Sequence, residues 1–404
     1  TRSRVRPPTM PAAGAPAASV AGESRLSAHT RSRSAGRRAL CAGDKRVLRV
    51  PYHNKADGFT AALVLALNQV KYCERHGCRP VVDWGPFPAC KYAGVRFPGR
   101  TPFFDPAVGA NAFEYYFRPV CAGAAAAAPL PRAAPTLTCE EREAIHRQEE
   151  WAVRTYYYGA TDPRPPPGRN ESDLYDDGWY SRHRREGHRL AHRYLKLQPH
   201  LATKLAALES ELLGRPRGAT RGSRGGGALL GVHLRGSDKG KYLASAASGR
   251  PVPPKEYEPL VESFLRTHRN GTVFVATDSP SFLAEVRARW LARWPASAFR
   301  WRDVLRAEEN VAFSRGGKGS RSSNARKGEE VLLDVLLLSR CDYLLHSASG
   351  VAEFAIYWNL KLHRRSVHLQ YTRNRQPPPW GKGEAAVERS TAVERSDSEL
   401  RLGG

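Results

Sequence analysis

The sequence predicts an α/β fold of two doubly wound units with parallel sheets, and three observations predict it. A strand–helix–strand run opens the ordered part of the chain at 46–84. A longer alternating series of apolar strands and helices occupies 229–359. Between them lies "GRPRGATRGSRGGG" (214–227), a Gly- and Arg-rich stretch that reads as a flexible linker and as the clearest boundary in the chain.

In chain order, residues 1–45 hold Arg, Pro, Ala and Ser without apolar periodicity and read as a disordered basic stem. The amino-side unit is placed at 46–213. "RVLRVPY" (46–52) is a strand, and "GFTAALVLALNQVKYCERHG" (58–77) is a helix with Phe59, Ala62, Leu63, Ala66, Leu67 and Val70 at helical spacing and Gly77 as its stop. "RPVVDW" (79–84) is a second buried strand. "AGAAAAAPLPRAAP" (122–135) reads as a low-complexity loop, and helices are expected at 141–157 and 187–213. The carboxyl-side unit is placed at 228–371 and a disordered tail at 372–404. Strands are expected at 229–234, 271–278, 298–304 and 342–347, with helices at 253–268, 279–290, 328–341 and 349–359. Such sheets bind ligands at the carboxyl ends of their strands.

Composition narrows the partners. The chain has 404 residues, 64 Lys+Arg against 39 Asp+Glu, and a net charge of +25. That excess suits nucleic acid, anionic glycans, membrane surfaces or phosphorylated ligands. Arg is dispersed, however, and no zinc-finger or RNP-type pattern occurs, so no specific nucleic-acid partner is expected. Six of the seven cysteines fall within the first 139 residues without a C-x-x-C pair, which argues against zinc or dithiol redox chemistry. With the sequons at Asn170–Ser172 and Asn270–Thr272, they lean toward an oxidising Golgi or ER lumen. No run of about 18 apolar residues is present. The sequence starts at Thr1, which leaves room for an N-terminal membrane anchor outside it.

The polar residues of interest stand at strand ends. In "ALLGVHLRGSDKGKYL" (228–243) an apolar run stops at His233, and Arg235, Gly236, Asp238 and Lys239 follow. A guanidinium fork beside a lysine suits a phosphate, with Gly236 allowing close backbone approach; the bland alternative is a solvated basic turn. Asp278 ends "VFVATD" and either grips a sugar hydroxyl or belongs to a helix cap at 277–279. Asp334 sits among Leu and Val on every helical face and needs a partner: Arg235 or a ligand group, or a structural bridge to Arg340 or a similar cation. "LLHSASGVAEF" places Ser347, Ser349 and Gly350 at a helix start, suited to a phosphate or to plain N-capping. Two anion-binding features in one doubly wound unit point to a diphosphate-linked ligand. No P-loop pattern occurs, and no D-x-D follows an apolar strand, so no metal is expected.

The order "GVHLRGSDK", "VFVATDSPSFLAEV", "GEEVLLDVLLLSRCDYLLHSASGVAEFAIYWN" resembles the fucosyltransferase superfamily of α-1,6-fucosyltransferases, nodulation fucosyltransferases and protein O-fucosyltransferases. "GFTAALVLALNQVKYCERHGCRPVVDW" and "NAFEYYFRPV" (111–120) look like its amino half, so the likeness spans roughly 46–371. The resemblance implies a GT-B architecture, two Rossmann-like domains facing a cleft. It implies inverting, metal-independent transfer of fucose from GDP-fucose to a glycan or protein hydroxyl, with no cofactor. Carried over by position, Arg235 matches the diphosphate-binding arginine and His233 helps hold the nucleotide sugar. Asp278 and Asp334 match acidic positions near the donor, and Ser347–Gly350 face the phosphates. Gly58 and Phe59 match the amino-side glycine-rich turn, with Asn54 just before it.

Three positions depart from the pattern: Gly236 stands where a second arginine is usual, Leu243 where an acid is usual, and Ala62 where a glutamine is usual. The general base is left between Asp238 and Glu114. The alternatives are a transferase for another nucleotide sugar, or a non-catalytic basic protein that binds glycans or nucleic acid.

Overall fold

A computed structural model describes residues 40–41, 46–52, 58–86, 90–92, 95–97, 101–121, 138, 140–141, 178–214, 227–236, 251–306, 324–369 and 378–381. The fold is α/β with parallel sheets. β1 (Val47–Pro51) and β2 (Arg79–Asp83) pair in parallel around α1 (Phe59–His76). α1 is buried on every side from Phe59 to Lys71, and Gly77 ends it in the left-handed region at φ 66°. A short hairpin, β3 (Cys90–Tyr92) and β4 (Val95–Phe97), follows; nothing in the sequence periodicity announces it.

The expected helix at 187–213 is two helices, α2 (Gly178–Tyr194) and α3 (Pro199–Leu213). Pro199 has no N–H to lose at the first helical position, so the chain restarts there after an extended Gln198. Gly187, taken as a helix start from sequence, lies inside α2 and packs closely on Tyr357, whose ring a Cβ there would approach to 2.8 Å. The helix expected at 141–157 lies outside the described residues beyond 140–141, as does most of the linker at 214–227.

β5 (Leu229–Leu234) begins the second unit. α4 (Glu258–Thr267), β6 (Thr272–Thr277), α5 (Pro280–Trp290), β7 (Phe299–Trp301), α6 (Asn324–Arg340), β8 (Tyr343–His346), α7 (Gly350–Trp358) and β9 (Ser366–His368) follow. The five strands are all parallel in the order β7-β6-β5-β8-β9. The chain therefore winds outward from β5 in one direction, then crosses to β8 and winds in the other. That reversal puts a topological switch point between β5 and β8, the place where such sheets bind ligands.

β5 is buried along its whole length, as a central parallel strand covered on both faces must be. Leu230, Val232 and Leu234 face one layer, shared with Tyr257, Val261, Phe264 and Trp290. Gly231 faces the other, where a Cβ would fall 3.0 Å from Leu338. That second layer, with α6 and α7, is continuous with the core of the amino unit. Tyr116 Oη donates to the Ala325 carbonyl at 2.8 Å, and Asn324 Nδ2 donates to that of Phe104 at 3.1 Å, so the first turn of α6 is anchored on the amino unit.

Candidate functional site

At the carboxyl end of β5, Arg235 Nη1 pairs with Asp278 Oδ2 at 2.9 Å. Asp278 Oδ1 accepts from the Gly236 backbone N–H, also at 2.9 Å. One carboxylate thus grips the guanidinium and the backbone of the turn together. Asp278 is a positioning group for Arg235; the cap of α5 is Ser279, which accepts from Phe282 N at 3.2 Å. Neither side chain is sealed off: Arg235 keeps 15 % and Asp278 20 % of its surface. Gly236 is a steric necessity here, since a Cβ would fall 2.8 Å from Ser279 Cβ and 3.1 Å from the Phe282 ring. The arginine usual at that position has no room in this geometry.

Across the switch point, Ser347 is buried and Ser349 caps α7, its Oγ accepting from Val351 N at 3.2 Å. The start of α7 meets the start of α1: a Cβ on Gly350 would lie 2.7 Å from Thr60 Oγ1. Two helix N-termini, each with free N–H groups and the positive end of a dipole, therefore converge beside the end of β8. Gly58, just before α1, has an extended backbone (φ −153°) and nothing within 4 Å of a built Cβ, so neither strain nor packing calls for glycine there. Phe59, assigned to the ligand from sequence, is a core residue instead. It is 1 % exposed and packs edge-on against Trp84, Phe103 and Tyr116 at centroid distances of 6.1, 5.2 and 4.9 Å.

Asp334 pairs with neither Arg235 nor Arg340. Its Oδ1 accepts from Arg302 Nη1 at 2.7 Å, Arg302 being in the loop after β7, while Arg340 Nε reaches Glu209 on α3 at 2.6 Å. Arg235 is held two strands away by Asp278. Burial raises the Asp334 carboxyl above the usual range against the opposing pull of Arg302 and Arg306. Asn54, Asp238 and Lys239 lie outside the described residues. Glu114 is exposed, its Oε1 accepts from Asn111 Nδ2 at 2.9 Å, and it lines a cleft of about 760 Å³ with Tyr115, Trp301, Arg302 and Glu330.

Sequence reasoning missed a row of imidazoles under this site. His233, His346 and His368 stand in register on β5, β8 and β9 and are 4 %, 2 % and 0 % exposed. The His346 and His368 rings meet edge to face at 4.8 Å. His346 Nδ1 lies 3.1 Å from the Ser347 carbonyl, which only accepts, so Nδ1 carries the proton and Nε2 is a buried acceptor. Burial, the Arg184 charge and His233 hold His346 down to a pKa of about 3. Also missed was Arg184 of α2, fully buried and bidentate to Glu353 of α7 at 2.8 and 2.8 Å, with Nη1 2.7 Å from His363 Nδ1. That pair fixes α7 and hence the Ser349–Gly350 corner. The available signal was the repeated "LLH" and "SVH" strand endings and an acid in the first turn of an otherwise apolar helix.

No family model and no curated protein matches the chain. Among solved structures it is similar to NodZ alpha-1,6-fucosyltransferase soaked with GDP-fucose, at 17 % identity over 78 % of this chain and 93 % of that one, with a TM-score of 0.38. It is also similar to POFUT1 in complex with GDP-fucose, at 10 % identity over 84 % and 98 % with a TM-score of 0.39. For FUT1 of Arabidopsis thaliana in complex with GDP the figures are 10 %, 83 % and 74 %, with a TM-score of 0.35. Likenesses at those scores carry no argument about this chain's chemistry, which stands on its own geometry.

Proposed function

We propose that this chain is an inverting, metal-independent glycosyltransferase that moves fucose from GDP-fucose to a hydroxyl of a glycan or protein. The observation that carries the reading is the switch point between β5 and β8. It is flanked by Arg235 on one side and by the converging starts of α7 and α1 on the other. The choice of GDP-fucose rests on the motif resemblance.

In this reading the acceptor oxygen attacks the anomeric carbon as the bond to the GDP oxygen breaks. The negative charge that grows on the departing diphosphate meets the Arg235 fork and the N–H groups at Ser349 and Gly350. Asp278 keeps the guanidinium aimed before substrate arrives, which removes reorganisation from the chemical step. His233 and its neighbour His346 supply a buried floor, and Gly58 leaves space for close approach of the sugar. The acceptor proton goes to a carboxylate, with Glu114 and Asp238 as the two candidates. The disulfides Cys41–Cys121 and Cys73–Cys78 support a Golgi or ER lumen as the place of action.

Thermal-shift titration of the full chain with GDP, UDP, ADP and a short DNA duplex tests the reading. Stabilisation by GDP alone is expected. Stabilisation only by DNA, or equally by all three nucleotides, would overturn the donor assignment.

A further inference from the structure

Asn270-Gly271-Thr272 has the acceptor pattern of N-linked glycosylation. The structure places Asn270, exposed, in the turn between α4 and β6. The backbone of that turn is held without it: Gly271 N donates to the His268 carbonyl at 2.7 Å and Thr272 N to that of Ala228 at 2.9 Å. Gly227 packs directly beneath, where a Cβ would fall 1.7 Å from the Asn270 carbonyl oxygen. The Asn270 main chain is therefore fixed from the protein side while the residue itself is exposed, and its amide has no hydrogen-bond partner among the described residues. Independently, the disulfides Cys41–Cys121 and Cys73–Cys78 point to an oxidising compartment, the setting in which oligosaccharide is transferred to asparagine.

We propose that Asn270 carries an N-linked glycan. The donor is a lipid-linked oligosaccharyl diphosphate. A bond forms between Asn270 Nδ2 and the first sugar's anomeric carbon, the bond from that carbon to the diphosphate oxygen breaks, and the amide releases one proton. The diphosphate leaves with the lipid. β6 separates the two ends of the sheet: Asn270 precedes its amino end and Asp278 follows its carboxyl end, roughly 20 Å away along the strand. The glycan therefore covers the floor of the sheet and leaves the candidate site open, so this proposal stands whether or not the catalytic reading does.

The test is to express the full chain into the secretory pathway of a cultured eukaryotic cell. Peptides are then mapped before and after N-glycosidase treatment in heavy-oxygen water. The peptide bearing residue 270 is expected to be glycosylated and to convert to labelled Asp. Asn270→Gln should lose that one glycan, with Asn170 read separately on its own peptide, and Thr272→Ser should keep it. An unmodified Asn270 overturns the proposal. If the Cys73–Cys78 bridge is present in the same sample, the acceptor itself has failed; if those cysteines are reduced, the compartment premise has failed.

Discussion

The amino and carboxyl units solve the same problem with different means. The carboxyl unit has five parallel strands covered on both faces, and its α4–α5 layer forms a core of its own. The amino unit shows two parallel strands and a short hairpin among its described residues, a smaller sheet than that of the carboxyl unit. Its packing rests on an aromatic cluster around Phe59 and Trp84, on two disulfides, and on a core that runs on into α6 and α7. The lesson is that the seam between units is itself core, so the corner where α1 meets α7 is held rigidly from both sides.

That contrast can be broken at several points. The largest effect is expected at Arg235, the group that would face the leaving diphosphate. Arg235→Ala should lower transfer at least about 100-fold, in line with loss of a preorganised donor, with a cooperative thermal transition retained; near-normal turnover would refute the assignment. Next is the buried tie between α2 and α7. Arg184→Ala leaves Glu353 buried and unpaired and should cost about 3–5 kcal/mol in denaturant unfolding. A loss below about 1 kcal/mol would show that the corner does not depend on it.

Protons probe the same corner more gently. His346 and His363 are both held to a pKa of about 3, the former by burial, Arg184 and His233, the latter by burial, Arg184, Arg364 and Arg185. Unfolding releases them to bind protons below the ordinary value of about 6.5. Their contribution is therefore whole above pH 6.5 and is lost progressively as pH falls toward 3. Each removes at most about 1.4 kcal/mol per pH unit. Urea midpoints between pH 7.5 and 5 should fall accordingly, and His363→Gln should flatten the slope; a flat wild-type profile would contradict the buried neutral assignment. The smallest stability effect is expected at Gly58. Gly58→Ala should move unfolding by less than about 0.5 kcal/mol, since its backbone is extended and its surroundings open. A raised KM in the same variant would locate the donor beside α1.

Much of this was legible in the residues. The strand at 229–234, the breaks at Gly77 and Gly214, and the Ser279 and Ser349 helix starts are written in local chemistry: continuous apolar runs, φ-permissive glycines and capping hydroxyls. Arg235 was legible for the same reason, a cation directly after a buried strand. Phe59 was assigned to the ligand through the family resemblance alone, whereas its place in the apolar spacing of the helix at 58–77 already suited the core position it takes. For Asp334 the apolar helix announced a buried carboxylate but left its partner open between a ligand group and a structural cation, and that cation is Arg302.

By itself, then, the sequence determined the two α/β units, their strand–helix alternation and the placement of polar groups at strand ends, because these follow from periodicities of a few residues. Only the tertiary structure decided what those groups do. It paired Arg235 with Asp278 and Asp334 with Arg302. It set His233, His346 and His368 side by side and brought Thr60 against Gly350 across almost 300 residues of chain. Partners so distant in sequence are chosen by strand order and helix packing, and no local pattern of residues encodes that choice.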